Sequence, residues 1–298
     1  MNRVVQHPLK AFAAALIAVA TLSIMDAVMK GLVIAIGILA VSVWRAAANF
    51  LISAGLYLPS RRVWPSPSTL RIHLVRSVIV TLMAGLFFWG IGRVPLAQAI
   101  ALTFIAPLIA LLLAAAILGE EVGRRSIAGS LAAFGGVVVI VIGQARAALG
   151  GEVLMGSAAI VGSALCYAIN IVMMRQQALA AKPLEINFFQ SLIVGALWLA
   201  VALYVGLPSW PSGQWQWVVI AATLSTIGGL VFSWAYARAE ASYLAVTEYS
   251  AFLWASALGW LIFRERLSLF TLAGAALIVA GSLIAVRRDA RPEIEAAA

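Results

Sequence analysis

Residues 118–136, LGEEVGRRSIAGSLAAFGG, and residues 263–281, FRERLSLFTLAGAALIVAG, follow one pattern. Each places a glutamate at a turn, Glu120 and Glu265. Each then runs into an apolar segment with two glycines seven residues apart, Gly129 and Gly136 in the first and Gly274 and Gly281 in the second. The offset of 145 residues holds far beyond these stretches: Lys30 falls on Arg175, Trp89 on Trp234 and Arg93 on Arg238. The chain is an internal duplication.

Composition says where that duplication lives. Of 298 residues, 64% are hydrophobic and only 10% charged, and the mean hydropathy is +1.04. A soluble chain carries about 25% charged residues, so this one lacks the polar surface to cover a particle in water. A soluble enzyme, a secreted module and a disordered scaffold are excluded. A spanning helix needs about 20 largely apolar residues. Ten runs qualify, at roughly 9–30, 34–58, 72–92, 94–118, 126–143, 153–174, 185–206, 214–236, 241–263 and 268–286. None alternates in polarity, as the strands of a membrane barrel would. Fold class is therefore all-α, an integral membrane protein of ten transmembrane helices. The first run carries AVA at 18–20, like a signal-peptide cleavage site, yet it continues to Met29 and has a counterpart in the second half. It reads as a retained helix.

A net charge of +9 invites comparison with nucleic-acid binders. Its placement argues otherwise. With the N-terminus inside, fourteen basic residues fall on inner tails and loops, Arg61, Arg62 and Arg76 among them, and five on outer ends; Arg45 lies within a span. That asymmetry sets both termini of a multi-pass membrane protein in the cytoplasm. Membrane lipids with anionic headgroups are the implied partner, and no nucleic acid is expected.

Parity carries the mechanism. Each copy, residues 1–150 and 151–298, holds five spans, so the second enters the membrane from the opposite side. Inverted repeats are a building plan of secondary transporters, with the substrate site between them near the midplane.

Two five-helix copies, each closing on a glutamate at a tight turn and a glycine-bearing last helix, resemble the EamA-type family of the drug/metabolite transporter superfamily. The resemblance covers about residues 9–286 and is most specific in FIAPLIALLLAAAILGEEVGRRSIAG (104–129) and LIFRERLSLFTLAG (261–274). It implies two inverted five-helix repeats around a central cavity, lined mainly by the first four helices of each copy. It also implies export of amino acids or other small metabolites by alternating access. Within the family, the whole looks most like the YddG-type bacterial exporters of aromatic amino acids. The second copy departs from the pattern where Pro107 corresponds to Phe252.

Ionisable groups at bilayer depth cost at least about 2.5–3.5 kcal/mol on insertion scales, so each needs a reason. Arg45, with Asn49 one turn later, receives a substrate carboxylate or else bonds backbone carbonyls at a helix break; its repeat mate is Gln190. Glu248 can exchange a coupling proton, bind a substrate ammonium or tie helices together, with Arg45 as one partner. Asp26 and Lys30, four residues apart, read as an exposed structural pair along the first helix. Pro107 removes a hydrogen bond from the fourth helix and frees the carbonyl of Thr103, as a hinge, a cavity wall or a passive kink. Glu120 and Glu265 read as turn caps on the final helix of each copy. Tyr167, Tyr249, Phe252 and Trp254 are deep enough to stack on a substrate or simply to pack. Gln98, Thr103, Ser163 and Asn170 are polar candidates for the same cavity. Trp64, Trp89, Trp210, Trp215, Trp217 and Trp234 belong to the interfacial belts.

Enzyme motifs are missing. The sequence has no HExxH, no GxSxG, no paired intramembrane aspartates and no phosphate-binding GxxxxGK[ST]. His7 and His73 sit at cytoplasmic ends away from the lone Cys166. No catalytic residue, metal or cofactor is expected. A small-molecule substrate is, with protons as a coupling ion. A passive uniporter or pore of the same fold and, more remotely, a membrane-embedded enzyme are the alternatives.

Overall fold

The computed structural model describes residues 8–60, 64–106, 109, 124–146, 151–238, 244, 247–248 and 250–286. Pro107, Tyr249 and Glu120 lie outside the described residues. Ten helices occur among them, one in each apolar run. They are α1 (Pro8–Ile36), α2 (Ile38–Tyr57), α3 (Pro67–Ile91), α4 (Leu96–Thr103), α5 (Arg124–Arg146), α6 (Gly151–Ala180), α7 (Pro183–Val205), α8 (Trp215–Tyr236), α9 (Ser250–Phe263) and α10 (Leu269–Val286). Six of these, α1, α2, α3, α6, α7 and α8, are long and apolar enough to cross a membrane.

Local chemistry sets the helix ends. Gly37 alone separates α1 from α2, and its φ of 78° is the left-handed conformation that glycine adopts without a Cβ clash. Pro67 occupies the first turn of α3, where its missing N–H costs nothing, and Ser66 Oγ accepts from Thr69 N at 3.2 Å. Pro183 likewise occupies the first turn of α7, there without a side-chain cap. The cap of α10 is Ser268, whose Oγ accepts from Thr271 N at 3.0 Å. Glu265 does other work, a correction to the sequence reading.

Helices pack chiefly across the two halves. α1 lies on α8 and α3 on α6; α2 lies on α7, α4 on α9, and α5 on α10. Under the 145-residue offset, α1–α8 maps onto α6–α3, and the α2–α7 and α5–α10 pairs map onto themselves. Matching detail recurs at the helix ends: the Arg93 guanidinium lies 3.7 Å from the Trp89 ring and that of Arg238 4.1 Å from Trp234. Each arginine also donates to the carbonyl of its own tryptophan, at 3.0 and 3.1 Å.

The α5–α10 crossing rests on absent side chains. A Cβ on Gly136 would stand 2.5 Å from the Gly274 carbonyl oxygen, and one on Gly274 2.6 Å from that of Gly136. Without a hydrophobic force between helices in lipid, this close approach lets dispersion hold the pair. Large apolar residues such as Leu131, Leu203 and Leu253 point outward, while Ile91, Leu102, Ile140, Ile160 and Ile278 fill the interior. A chain apolar both inside and outside fits lipid rather than water.

Candidate functional site

At the centre of the bundle lies a cavity of about 330 Å³. Its walls come from α1, α2, α3, α4, α6, α7 and α8, with Glu248 and Ala251 closing one side; among the described residues, α5 and α10 contribute nothing. The last helix of each half packs outside the chamber.

Arg45 reaches this space from the middle of α2. Its Nη1 donates to Ser225 Oγ at a long 3.5 Å and to Asn49 at 3.2 Å, the Asn49 amide being held in place by donation to the Ala222 carbonyl at 2.7 Å. The Phe88 ring lies 5.4 Å away. Its Nε has no partner, and no ion pair forms to Arg45 among the described residues. A buried guanidinium with unspent donors suits an incoming carboxylate, which can take two parallel hydrogen bonds.

Arg76 is the second guanidinium of the wall, and the sequence reading misplaced it on an inner loop. α3 starts at Pro67, so Arg76 lies about 14 Å along the helix at 1.5 Å per residue, and it is only 7% exposed. Three neutral oxygens hold it. Its Nε donates to Asn170 Oδ1 at 2.8 Å, its Nη1 to Gln190 Oε1 at 2.9 Å and also to Gln177 Oε1. The signal that could have placed it was Ser66-Pro67, a cap followed by a first-turn proline.

Acids face these cations. Glu248 accepts from Tyr167 Oη and from Tyr236 Oη, both at 2.9 Å. Asp26 lines the cavity from α1. It does not pair with Lys30, as its four-residue spacing suggested. Lys30 is buried and pairs with Glu265 instead, also donating to the Val94 carbonyl at 2.6 Å. Nor does Glu248 pair with Arg45.

Six residues nominated from sequence therefore share one wall: Arg45, Thr103, Ser163, Tyr167, Asn170 and Glu248. Two of their hydroxyl protons are already used, Ser163 Oγ donating to the Met83 carbonyl at 2.8 Å and Thr103 Oγ1 to that of Ile100 at 2.7 Å. Both oxygens remain able to accept. Gln98 is buried in α4 but outside this wall. Phe252 packs into the core near Phe104, with ring centroids 6.4 Å apart. Trp254 is 42% exposed on the outer face. Glu248 and Ala251 share the inward stripe of their helix, and 100° per residue turns Phe252 and Trp254 to either flank. Asp26, Arg76, Asn187 and Tyr236 were not anticipated from sequence, though each stands in or directly behind the wall.

The model of the EamA-like transporter family matches this chain twice, over residues 9–142 and 154–287. The chain belongs to the EamA-like transporter family. As an EamA-like membrane transporter it is 28% identical to the pseudopaline exporter CntI of Pseudomonas aeruginosa, over 89% of this chain and 92% of that one. It is 27% identical to a riboflavin transporter of Rhizobium johnstonii, over 74% of this chain and 72% of its relative. A solved crystal structure superposes with a TM-score of 0.61 at 20% identity, covering 94% of this chain and 98% of the other, a likeness of fold. These EamA-like relatives are named as transporters, not enzymes. They do not single out the YddG-type aromatic amino acid exporters.

Proposed function

We propose that this EamA-like protein is a secondary transporter that exports small carboxylate-bearing metabolites, amino acids including aromatic ones foremost, across the bacterial inner membrane. The observation that carries the reading is the unspent guanidinium of Arg45 in a central cavity that also holds the acids Asp26 and Glu248. Arg45 takes the carboxylate, the acids take the ammonium, and Phe87, Phe88, Phe104 and Phe232 supply apolar wall. At about 330 Å³ the chamber suits a small metabolite. The exporter relative, matched over 89% of the chain, supports outward movement.

Alternating access is the mechanism we infer. Ten spans in two inverted repeats, residues 1–150 and 151–298, exchange conformations around a fixed site, with both termini cytoplasmic. The symmetry-matched packing of α1 on α8 and α3 on α6 supports it. Protons at Glu248 are the coupling ion in this scheme.

Purified protein in liposomes, given labelled amino acids and an imposed pH difference, tests substrate and coupling together. Uptake that follows the gradient is expected; failure of every amino acid to move refutes the substrate assignment. A passive pore of the same fold is separated by counterflow, because only a carrier is accelerated by substrate on the opposite side.

A further inference from the structure

Behind the cavity wall, His73 of α3 is fully buried, its ring stacked on Phe189 at 5.0 Å between centroids and 10° between planes. Its two nitrogens meet different partners. Nδ1 faces Gln177 Nε2 at 2.5 Å, and Nε2 faces Glu185 Oε1 at 3.3 Å. Gln177, itself 1% exposed, bridges His73 to Arg76 through the two ends of one amide.

The donor inventory fixes every proton in this chain. A guanidinium has no acceptor, so Gln177 must turn its oxygen to Arg76 and its NH₂ to His73. His73 Nδ1 must then accept, which leaves the ring proton on Nε2, aimed at Glu185. A second proton on the ring would set Nδ1–H against the Gln177 NH₂, two donors face to face. Rotating the amide would mend that contact only by turning NH₂ towards Arg76. Protonated His73 and the three-oxygen grip on Arg76 therefore exclude one another. The charged groups acting on His73 are Glu185 of α7 and Arg76, one turn away on α3; from α6 it meets the neutral amide of Gln177.

We propose that His73 is a positioning residue for Arg76, acting through Gln177: Arg76 is the second guanidinium lining the cavity in which Arg45 takes the carboxylate, and acid on the His73–Glu185 side loosens it, so that the carboxylate loses a fixed neighbouring cation and binds more weakly. The proposal rests on the cavity being the substrate site. One lost hydrogen bond to a charged group corresponds to about a tenfold drop in affinity on acidification.

Nitrogen-15 NMR of histidine-labelled protein in lipid nanodiscs tests it, with His7→Asn leaving His73 as the one histidine. The Nε2-protonated tautomer is expected at neutral pH. In Gln177→Glu, a carboxylate that accepts from both neighbours, His73 should hold both protons under the same conditions. A neutral ring protonated at Nδ1, or a Gln177→Glu spectrum like the parent's, overturns the proposal. Binding of a mixture of labelled L-amino acids across pH is the second arm. His73→Gln, whose carbonyl can accept from Gln177 at any pH, should make the acid loss about tenfold smaller, leaving only the part that protonation of Glu248 causes; an unchanged acid loss overturns the coupling to Arg76. If nothing binds at any pH, the substrate reading falls, and the NMR arm, which needs no substrate, still decides the His73–Gln177 link.

Discussion

The Glu265 carboxylate accepts the first backbone N–H of α4, from Leu96, at 2.7 Å. The two residues come from opposite halves of the chain, so a turn in the second copy caps a helix in the first. Its other oxygen pairs with Lys30, placing a cation and a helix N-terminus on one anion.

Breaking this arrangement from either side leaves a buried charge without its partner. Glu265→Gln and Lys30→Met should each destabilise the bundle by about 3 kcal/mol, a typical loss when half of a buried pair is removed. Together they should cost less than the sum. Thermal unfolding in detergent, analysed as a double-mutant cycle, measures the coupling, and simple additivity would contradict the pair.

Gly136→Ala forces a methyl onto the Gly274 carbonyl and should cost about 1–3 kcal/mol by overpacking. Its neighbour is the control. A Cβ on Gly135 meets nothing within 4 Å, so Gly135→Ala should leave the melting temperature unchanged or raise it. Equal losses at both positions would refute the close crossing of α5 and α10.

Glu248 depends on two phenols. Tyr167→Phe or Tyr236→Phe removes one donor to a buried carboxylate, and each should cost about 1.5–3 kcal/mol in stability. Glu248→Gln should abolish pH-driven transport while leaving binding measurable. Unchanged pH dependence in that variant ends its role in coupling.

Arg45→Gln should weaken binding of an amino acid by about tenfold or more, since charge-assisted bidentate contacts are the strong ones. The corresponding amine, lacking a carboxylate, should bind the parent and the variant alike. A similar loss for both compounds would assign Arg45 to helix packing instead.

Much of this architecture was legible in the residues. The apolar runs located ten helices, the offset paired Trp89–Arg93 with Trp234–Arg238, and the glycine spacing marked α5 and α10 for close packing. Arg45 and Glu248 stood out because charge is scarce at that depth. The errors concern charged groups whose partners and depth the fold decides. Asp26 and Lys30 are neighbours along a helix, so sequence spacing paired them, whereas in the fold Lys30 turns to Glu265, 235 residues away. Arg76, four residues into the apolar run at 72–92, reads as an inner-end charge, whereas the helix starts five residues earlier at Pro67 and carries it deeper.

The sequence by itself determined the membrane setting, the helices, the duplication and the family. Those follow from transfer free energy and local backbone preference, which each short segment carries alone. Only the tertiary structure decided which polar groups meet: three amide oxygens around Arg76, two phenols on Glu248, and an Arg45 left with donors unspent. Partner choice there depends on which faces of α2, α3, α6, α7 and α8 are packed together, and the order of residues along the chain does not encode that distance directly.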